Sequence, residues 1–142
     1  SNMSEDEWCE LELTADSGAC DTVPKNAVPN VQIEPSKQSE AGCEYEVANG
    51  STIPNLGEKK CVIWTEGAHA PRQMIVQVAD VHKPLLSLTR CADMGYESHL
   101  GTRAGCLIDN QTGEVSTFIR KGNLCVLKVW VRASPFGRQG TQ

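Results

Sequence analysis

Asp16, Ser17 and Gly18 are the residues best suited to chemistry, because they place a carboxylate and a hydroxyl on a turn that directly follows a strand-like segment. Residues 11–15 alternate apolar and polar side chains, as a half-buried β-strand does. Gly18 lets the backbone turn tightly with little steric cost. The pattern predicts that the Asp16 carboxylate stands at a strand end, where it could act in acid–base hydrolysis of a peptide bond.

Hydrolysis of a peptide bond by carboxylates needs two of them sharing one proton. The ionised carboxylate activates water as a general base, and the protonated one donates to the carbonyl oxygen. The chain of 142 residues contains a single Asp-Ser-Gly and is too short for two barrel lobes. The second carboxylate must therefore come from a second copy, so this hypothesis requires a two-fold homodimer.

Three segments of the chain together resemble the retropepsins, the retroviral-type aspartic proteases. Residues 16–23 (DSGACDTV) resemble their active-site segment, residues 47–53 (VANGSTI) their flap hairpin, and residues 81–95 the apolar strand and short helix that close their fold. A more specific resemblance, over residues 8–132, is to the protease of copia-type retrotransposon polyproteins. It implies an aspartic endopeptidase that processes a retroelement polyprotein, in the cytoplasm or within virus-like particles.

The resemblance also implies roles for individual residues. Asp16 would be the catalytic carboxylate, Ser17 would brace the active-site loop of the second copy, and Gly18 would let substrate approach the backbone. The substrate-binding residues that it implies lie beside Asp16 and at the flap tip: Ala19, Asp21, Ala48, Asn49, Gly50 and Ser51. Leu85 and Leu86 would pack behind the site. No cofactor is implied.

The chain departs from the retroviral pattern in two places. Cys20 and Ser87-Leu88 stand where many retroviral enzymes have an acid and a Gly-Arg pair, whose ion pair lies near the dimer contact. Both members of that pair are therefore expected to be missing here. Residues 96–131 also extend beyond the closing helix, and they could supply the dimer sheet or cover a sheet edge.

Short apolar segments separated by turn signals predict a mainly β domain with a retropepsin-like closed barrel, a flap hairpin and extra C-terminal strands. The predicted strands are residues 10–15, 43–47, 52–56, 60–65, 72–79, 105–109, 114–120 and 124–132. A short helix is predicted over residues 86–94, ended by Gly95. Asn49-Gly50 and Gln111-Thr112-Gly113 provide the turn chemistry of hairpin tips.

The domain is expected to span residues 8–132, with a tag scar and extension at 1–7 and a flexible tail or linker at 133–142. Residues 24–42 contain three prolines and many polar side chains, which predicts a long surface connection. The Lys59-Lys60 pair is expected to be solvated.

Composition argues against several other kinds of function. A net charge of −5 with dispersed Lys and Arg disfavours nucleic-acid binding. No apolar run approaches the roughly 18 residues of a membrane helix, which predicts a soluble domain without a membrane partner. Seven cysteines, an odd number without Cys-x-x-Cys, and three separated histidines disfavour a disulfide scaffold or a zinc site. Cys61 and Cys125 lie in apolar runs and are expected in the core.

Two alternatives to the protease hypothesis remain open. A catalytically inactive or monomeric domain of the same fold could bind extended peptides by strand addition without cutting them. A cysteine hydrolase using Cys20 with a histidine is disfavoured, because Cys20 lies beside an acid and no histidine is near it in sequence.

Overall fold

The structure, a computed structural model, describes residues 8–18, 20–47 and 49–134. In these residues the chain forms eleven strands and two short helices. The strands are β1 (Cys9–Asp16), β2 (Thr22–Val23), β3 (Glu44–Glu46), β4 (Thr52–Pro54), β5 (Gly57–Trp64), β6 (Arg72–Val78), β7 (Leu85–Ser87), β8 (Tyr96–Leu100), β9 (Ala104–Asp109), β10 (Val115–Lys121) and β11 (Leu124–Ala133). The helices are α1 (Lys37–Glu40) and α2 (Leu88–Asp93). The predicted mainly β class is confirmed.

Nine strands form one sheet in the order β1-β7-β2-β6-β5-β11-β10-β9-β8, while β3 and β4 form a separate hairpin. Strand β1 pairs with β7 in parallel and with β11 in antiparallel. The pairings that start at β1 and run through β7, β2, β6, β5 and β11 therefore return to β1. Strands β10, β9 and β8 continue the sheet outward from β11.

Apolar side chains from most strands of the large sheet, together with Cys91 of α2, form one buried cluster. Strand β11 shows the pattern most clearly, since Leu127, Val129 and Val131 are buried and the residues between them are partly exposed. Burying each such side chain stabilises the fold by about 1.5–3 kcal/mol. Cys61 and Cys125 are buried in this cluster, as predicted.

Each predicted strand is present, with ends that differ by a few residues. The predicted helix begins later than expected, because residues 85–87 pair with β1 as strand β7 and Ser87 then caps α2. Gly95 follows α2 with φ of 93°, the left-handed conformation that glycine adopts easily. The short elements β2, α1 and β8 lack a clear periodic pattern and were not predicted, whereas the resemblance of residues 81–95 implied a strand where β7 lies.

The extension after α2 is part of the main sheet. Strand β11 lies between β1 and β5, so it is integral to the sheet instead of being an added strand. Strand β11 also runs to Ala133, and Ser134 is buried. The prediction of a flexible tail is therefore wrong for these two residues. Residues 1–7 and 135–142 lie outside the described part of the chain, so the domain boundaries predicted there stay predictions.

The connection over residues 24–42 is more ordered than its composition suggests. Ala27 and Val28 are buried in the core, so the prediction of a purely surface connection is wrong for them. Ser36 caps α1 in a reciprocal hydrogen-bonding arrangement with Ser39. Glu34 pairs with Glu58 of β5 through two backbone hydrogen bonds of 2.8 Å. Among the described residues, no helix is long and apolar enough to cross a membrane.

Lys59 holds this connection in place and is not solvated, contrary to expectation. Its side chain lies inward, and Nζ donates to the carbonyl oxygens of Lys25 and Ala27 at 2.8 Å and of Val28 at 3.1 Å. Burial lowers the pKa of this ammonium group. Lys60 agrees with the prediction, because its side chain is 46% exposed and lies 3.9 Å from Glu34.

Replacing Lys59 by methionine tests its structural role. We expect Lys59→Met to lower the free energy of unfolding by about 1–3 kcal/mol, because buried carbonyls lose their donor. Lys60→Met is the matched control and should change stability by no more than about 0.5 kcal/mol. Urea denaturation measures both values, and equal effects of the two substitutions would contradict the role given to Lys59.

Candidate active site

Asp16 is the last residue of β1, the strand end that the sequence predicts, and its side chain is exposed. Strand β11 pairs with residues 9–14 of β1, and β7 pairs with residues 14–16. Thr14 is therefore paired on both sides, and Asp16 is paired on one side, with Ser87 of β7. Leu13 and Thr14 are buried two to three residues earlier. A carboxylate open to solvent therefore stands at the end of a strand whose backbone position is fixed by the sheet.

The loop after Asp16 is braced locally and by α2. The Gly18 N–H donates to Asp16 Oδ1 at 2.9 Å, which orients the carboxylate. Thr89 Oγ1 of α2 donates to the Ser17 carbonyl oxygen at 2.6 Å. Within the described residues the Ser17 hydroxyl makes no hydrogen bond, so it is available to another group. Ala19, the next predicted site residue, lies outside the described residues.

Asp21 has a different environment from Asp16. Its side chain is 12% exposed, and its carboxylate accepts a hydrogen bond from the Ser87 N–H at 2.6 Å. Burial raises the pKa of this carboxyl, and the Ser87 hydrogen bond and the charge of Arg90 oppose part of that rise. Asp21 therefore joins the loop after β1 to the start of α2.

An acid–base pair joins these two segments, although the positions where retroviral enzymes carry theirs hold Cys20 and Ser87-Leu88. Arg90 Nε lies 3.4 Å from Asp21 Oδ2. The acid is one residue beyond Cys20, and the base is two residues beyond Leu88. Ser87 caps α2 by accepting from the Arg90 N–H at 3.1 Å, which orients the first turn of the helix.

The predicted flap is a hairpin formed by β3 and β4. At its tip Asn49 Oδ1 accepts hydrogen bonds from the Ser51 N–H at 2.9 Å and from the Ser51 hydroxyl at 2.5 Å. Gly50 has φ of 85°, which explains the glycine at this turn. Asn49, Gly50 and Ser51 are exposed, and Ala48 lies outside the described residues.

Buried Asn55 attaches this hairpin to the body of the domain. Its amide nitrogen donates to the Tyr45 hydroxyl at 2.7 Å and to Gln77 Oε1 at 2.9 Å. Its amide oxygen accepts from the Gly57 N–H at 2.8 Å and from the Ser36 hydroxyl at 3.2 Å. Because the Gln77 N–H also donates to the Asp21 carbonyl oxygen, the base of the hairpin is linked to the loop after Asp16. Asn55 was not identified from sequence.

A cavity of about 650 Å³ lies within the single chain. Its walls are mainly apolar and include Met74, Leu86 and Leu107. Asp21 and Arg90 also line the cavity, whereas Asp16, Ser17, Gly18 and residues 49–51 do not. The predicted catalytic group and this cavity are therefore different places in the chain.

A second polar cluster lines the same cavity and was missed by sequence reasoning. Arg72 Nη2 lies 2.6 Å from Asp109 Oδ2 and 3.5 Å from Glu114 Oε1, and Arg72 Nη1 donates to the Tyr96 hydroxyl. The hydrogen bond from Arg72 lowers the pKa of Asp109. His69 Nδ1 lies 3.5 Å from Glu114. These residues come from separate strands and loops, so spacing in sequence gave no sign of the cluster.

The structure brings some of the predicted site residues together and leaves others apart. Asp16, Ser17, Gly18 and Asp21 lie in one loop held by α2, while the tip of the hairpin makes no hydrogen bond to that loop within the described residues. Cys20 is exposed, and its thiol has no histidine partner in the described part of the chain. Across residues 8–18, 20–47 and 49–134, no group of three or more His, Cys, Asp or Glu side chains is arranged to hold a metal ion.

Comparisons of the chain with protein-family models, curated proteins and solved structures found no match.

The raised pKa of Asp21 makes a prediction about stability and pH. The folded state holds the Asp21 proton more tightly than the unfolded chain, so this contribution to stability is fully present below the ordinary pKa of 3.8. It is lost as pH rises through the folded-state pKa. We expect the stability of the parent chain relative to Asp21→Asn to fall as pH increases from about 3 to about 7.

Urea denaturation at a series of pH values measures this difference. Asp80→Asn is the control for removing one negative charge, since Asp80 is exposed and makes no side-chain hydrogen bond or ion pair among the described residues. A relative stability that is flat, or that rises with pH, would contradict the environment assigned to Asp21.

Proposed function

We propose that this chain is a retropepsin-type aspartic endopeptidase that is active as a two-fold homodimer. The observation that carries the proposal is the placement of Asp16. It is an exposed carboxylate at the end of a strand paired on both sides, oriented by the Gly18 N–H and followed by a loop that α2 braces. A surface carboxylate needs none of this support for solubility alone, whereas a catalytic group needs a fixed position.

The arrangement of strands supports the same proposal. The pairings that return to β1 support a closed barrel, and β7 followed by α2 lies directly beside the Asp16 loop. The hairpin of β3 and β4 stands outside the large sheet, as a flap does. The three segments that resemble the retropepsins occur along the chain in that family's order. A fold does not by itself establish an activity, so the chemistry must be argued from Asp16.

In the proposed dimer, the Asp16 carboxylates of the two copies share one proton. The ionised one takes a proton from a water molecule, which attacks the peptide carbonyl carbon, and the protonated one donates to the carbonyl oxygen. The unpaired Ser17 hydroxyl is available to donate across the two-fold to the loop of the second copy. By the resemblance, the flap tip at Asn49, Gly50 and Ser51 would close over the bound peptide and exclude water.

The proposed substrate is an extended segment of a retroelement polyprotein. This part rests on the resemblance of residues 16–23, 47–53 and 81–95 to copia-type proteases, which also places the enzyme in the cytoplasm or in virus-like particles. Ala19 and Asp21 would lie beside the bound peptide. The carboxylate of Asp21 is largely committed to Ser87 and Arg90, so its contribution would be to hold the loop in shape.

The cavity favours a second candidate function, in which the monomer binds an extended peptide or an apolar ligand without cutting it. The cavity is complete within one chain and does not include Asp16. Binding there would need neither a dimer nor a carboxylate pair, so it would survive substitution of Asp16.

Substitution of Asp16 tests the enzyme proposal. We expect the parent chain to cleave a denatured protein mixture between about pH 4 and pH 7, and Asp16→Asn to lose this cleavage by at least about 10³-fold, because neither copy then supplies a general base. Asp80→Asn, which also removes one exposed carboxylate, should cleave like the parent. Cleavage that persists in Asp16→Asn at the parental rate would exclude Asp16 as the catalytic group.

Mixing the two proteins tests whether the carboxylates come from different copies. At a fixed total concentration with equal amounts of parent and Asp16→Asn, random pairing leaves roughly one quarter of the dimers with two Asp16 carboxylates. We expect the rate to fall to about that fraction of the parental rate once subunits have exchanged. A rate of about one half, as for independent active monomers, would contradict a shared site.

A further inference from the structure

Strand β8 is the last strand of the large sheet, and among the described residues it pairs with β9 alone. In this part of the chain, the other side of β8 is an open edge whose backbone groups have no strand partner. Such an edge can add a strand from another chain, and proteins commonly protect it with charges, prolines or bulges. Over residues 96–100 the edge carries no proline and a single acid, Glu97. Leu100 at its end is 50% exposed.

The hydrogen bonds at the two ends of β8 show which of its backbone groups face outward. Gly95 accepts from the Asn110 N–H at 3.0 Å, and the Gly101 N–H donates to Ala104 at 2.9 Å. Hydrogen-bonded pairs alternate along an antiparallel ladder, so the odd-numbered residues of β8 bond to β9. Tyr96, Ser98 and Leu100 therefore direct their N–H and C=O groups away from the sheet.

We propose that two copies of this chain pair through β8, in antiparallel, about a two-fold axis at Ser98. In this register Ser98 faces Ser98 of the second copy, and Tyr96 faces its Leu100. The outward N–H and C=O groups of these residues would form about six hydrogen bonds between the copies. Each strand then gains the partner that its edge lacks, and the two sheets become continuous.

The side chains are complementary in the same register. Glu97 of each copy faces His99 of the other, and this pair falls at a non-hydrogen-bonded position, where opposite side chains are closest. A carboxylate then meets an imidazole N–H twice in the interface. In the single chain both residues are exposed, and within its described part neither makes a side-chain hydrogen bond or ion pair. Tyr96 opposite Leu100 adds an aromatic–aliphatic contact at each end.

This interface is separate from the one that the proposed protease dimer needs. Strand β8 lies four strands from β1 by way of β11, β10 and β9, which is about 19 Å along the sheet at about 4.8 Å per strand. Pairing through β8 uses the outward backbone groups of residues 96–100, none of which belongs to the Asp16 loop. If both contacts form, the assembly contains more than two copies, because each chain carries two different two-fold interfaces.

Sedimentation equilibrium of the whole chain, from micromolar to millimolar concentration, tests the pairing. Ser98→Pro removes the central outward N–H, but it keeps the bonds of β8 to β9, because proline is tolerated where the N–H faces away from the sheet. We expect Ser98→Pro to raise the dissociation constant of self-association at least about tenfold. The doubling of mass that pairing through β8 produces in the parent should then be lost at the same concentrations. Ser98→Ala retains the N–H and should associate like the parent.

A charge exchange provides a second test that does not depend on how well proline is accommodated. Glu97→Lys places an ammonium group opposite His99 twice per interface, and we expect it to weaken association about fivefold. The double variant Glu97→Lys/His99→Glu restores opposite charges and should associate within about twofold of the parent. Circular dichroism confirms that each variant is folded.

Three results would overturn this proposal. The first is a parent chain that is monomeric at every concentration. The second is a parental mass retained in both Ser98→Pro and Glu97→Lys. The third is protection of the Ser98 amide from hydrogen exchange only after an unrelated extended peptide is added, which would make β8 a site for other chains. Failure of the protease proposal is distinguishable, because Asp16→Asn should still associate through β8 and Ser98→Pro should still cleave.

Discussion

The two-sided pairing of β1 is the constraint on which the rest of the structure depends. β1 pairs in parallel with β7 and in antiparallel with β11. The pairing with β11 joins residues from the two ends of the domain, and the two pairings together return the series of paired strands to β1. The same pairing fixes the backbone of Asp16 at the last residue of β1. Because β7 leads directly into α2, the helix lies where Thr89 and Arg90 can hold the following loop.

Asp16 and Asp21 show how environment separates two carboxylates in one loop. Asp16 is exposed and keeps its second oxygen free of protein hydrogen bonds in the described part of the chain, so it can meet water or a second carboxylate. Asp21 is largely buried, accepts from the Ser87 N–H and faces Arg90. One residue has the accessibility that chemistry requires, and the other has the contacts that fix a loop. The proposed function assigns them those two roles.

Local patterns predicted much of the fold, and contacts between distant segments were beyond them. Alternation located the longer strands, and Asn49-Gly50 and Gly95 marked a hairpin and a helix end, because these signals act over a few residues. Lys59 was misjudged because nothing in its neighbours shows that its ammonium group meets three carbonyls of a distant connection. The pairing of Asp21 with Arg90 and of Arg72 with Asp109 likewise depends on which strands the sheet brings together.

The central claim is that two Asp16 carboxylates from two chains form one site, and calorimetric titration with a statine-type peptide tests it most directly. The hydroxyl of such a peptide imitates the tetrahedral intermediate and binds between paired carboxylates, as a transition-state analogue does. The account predicts about one peptide bound per two chains, and loss of binding in Asp16→Asn. One peptide bound per chain, or binding that survives Asp16→Asn, would contradict it.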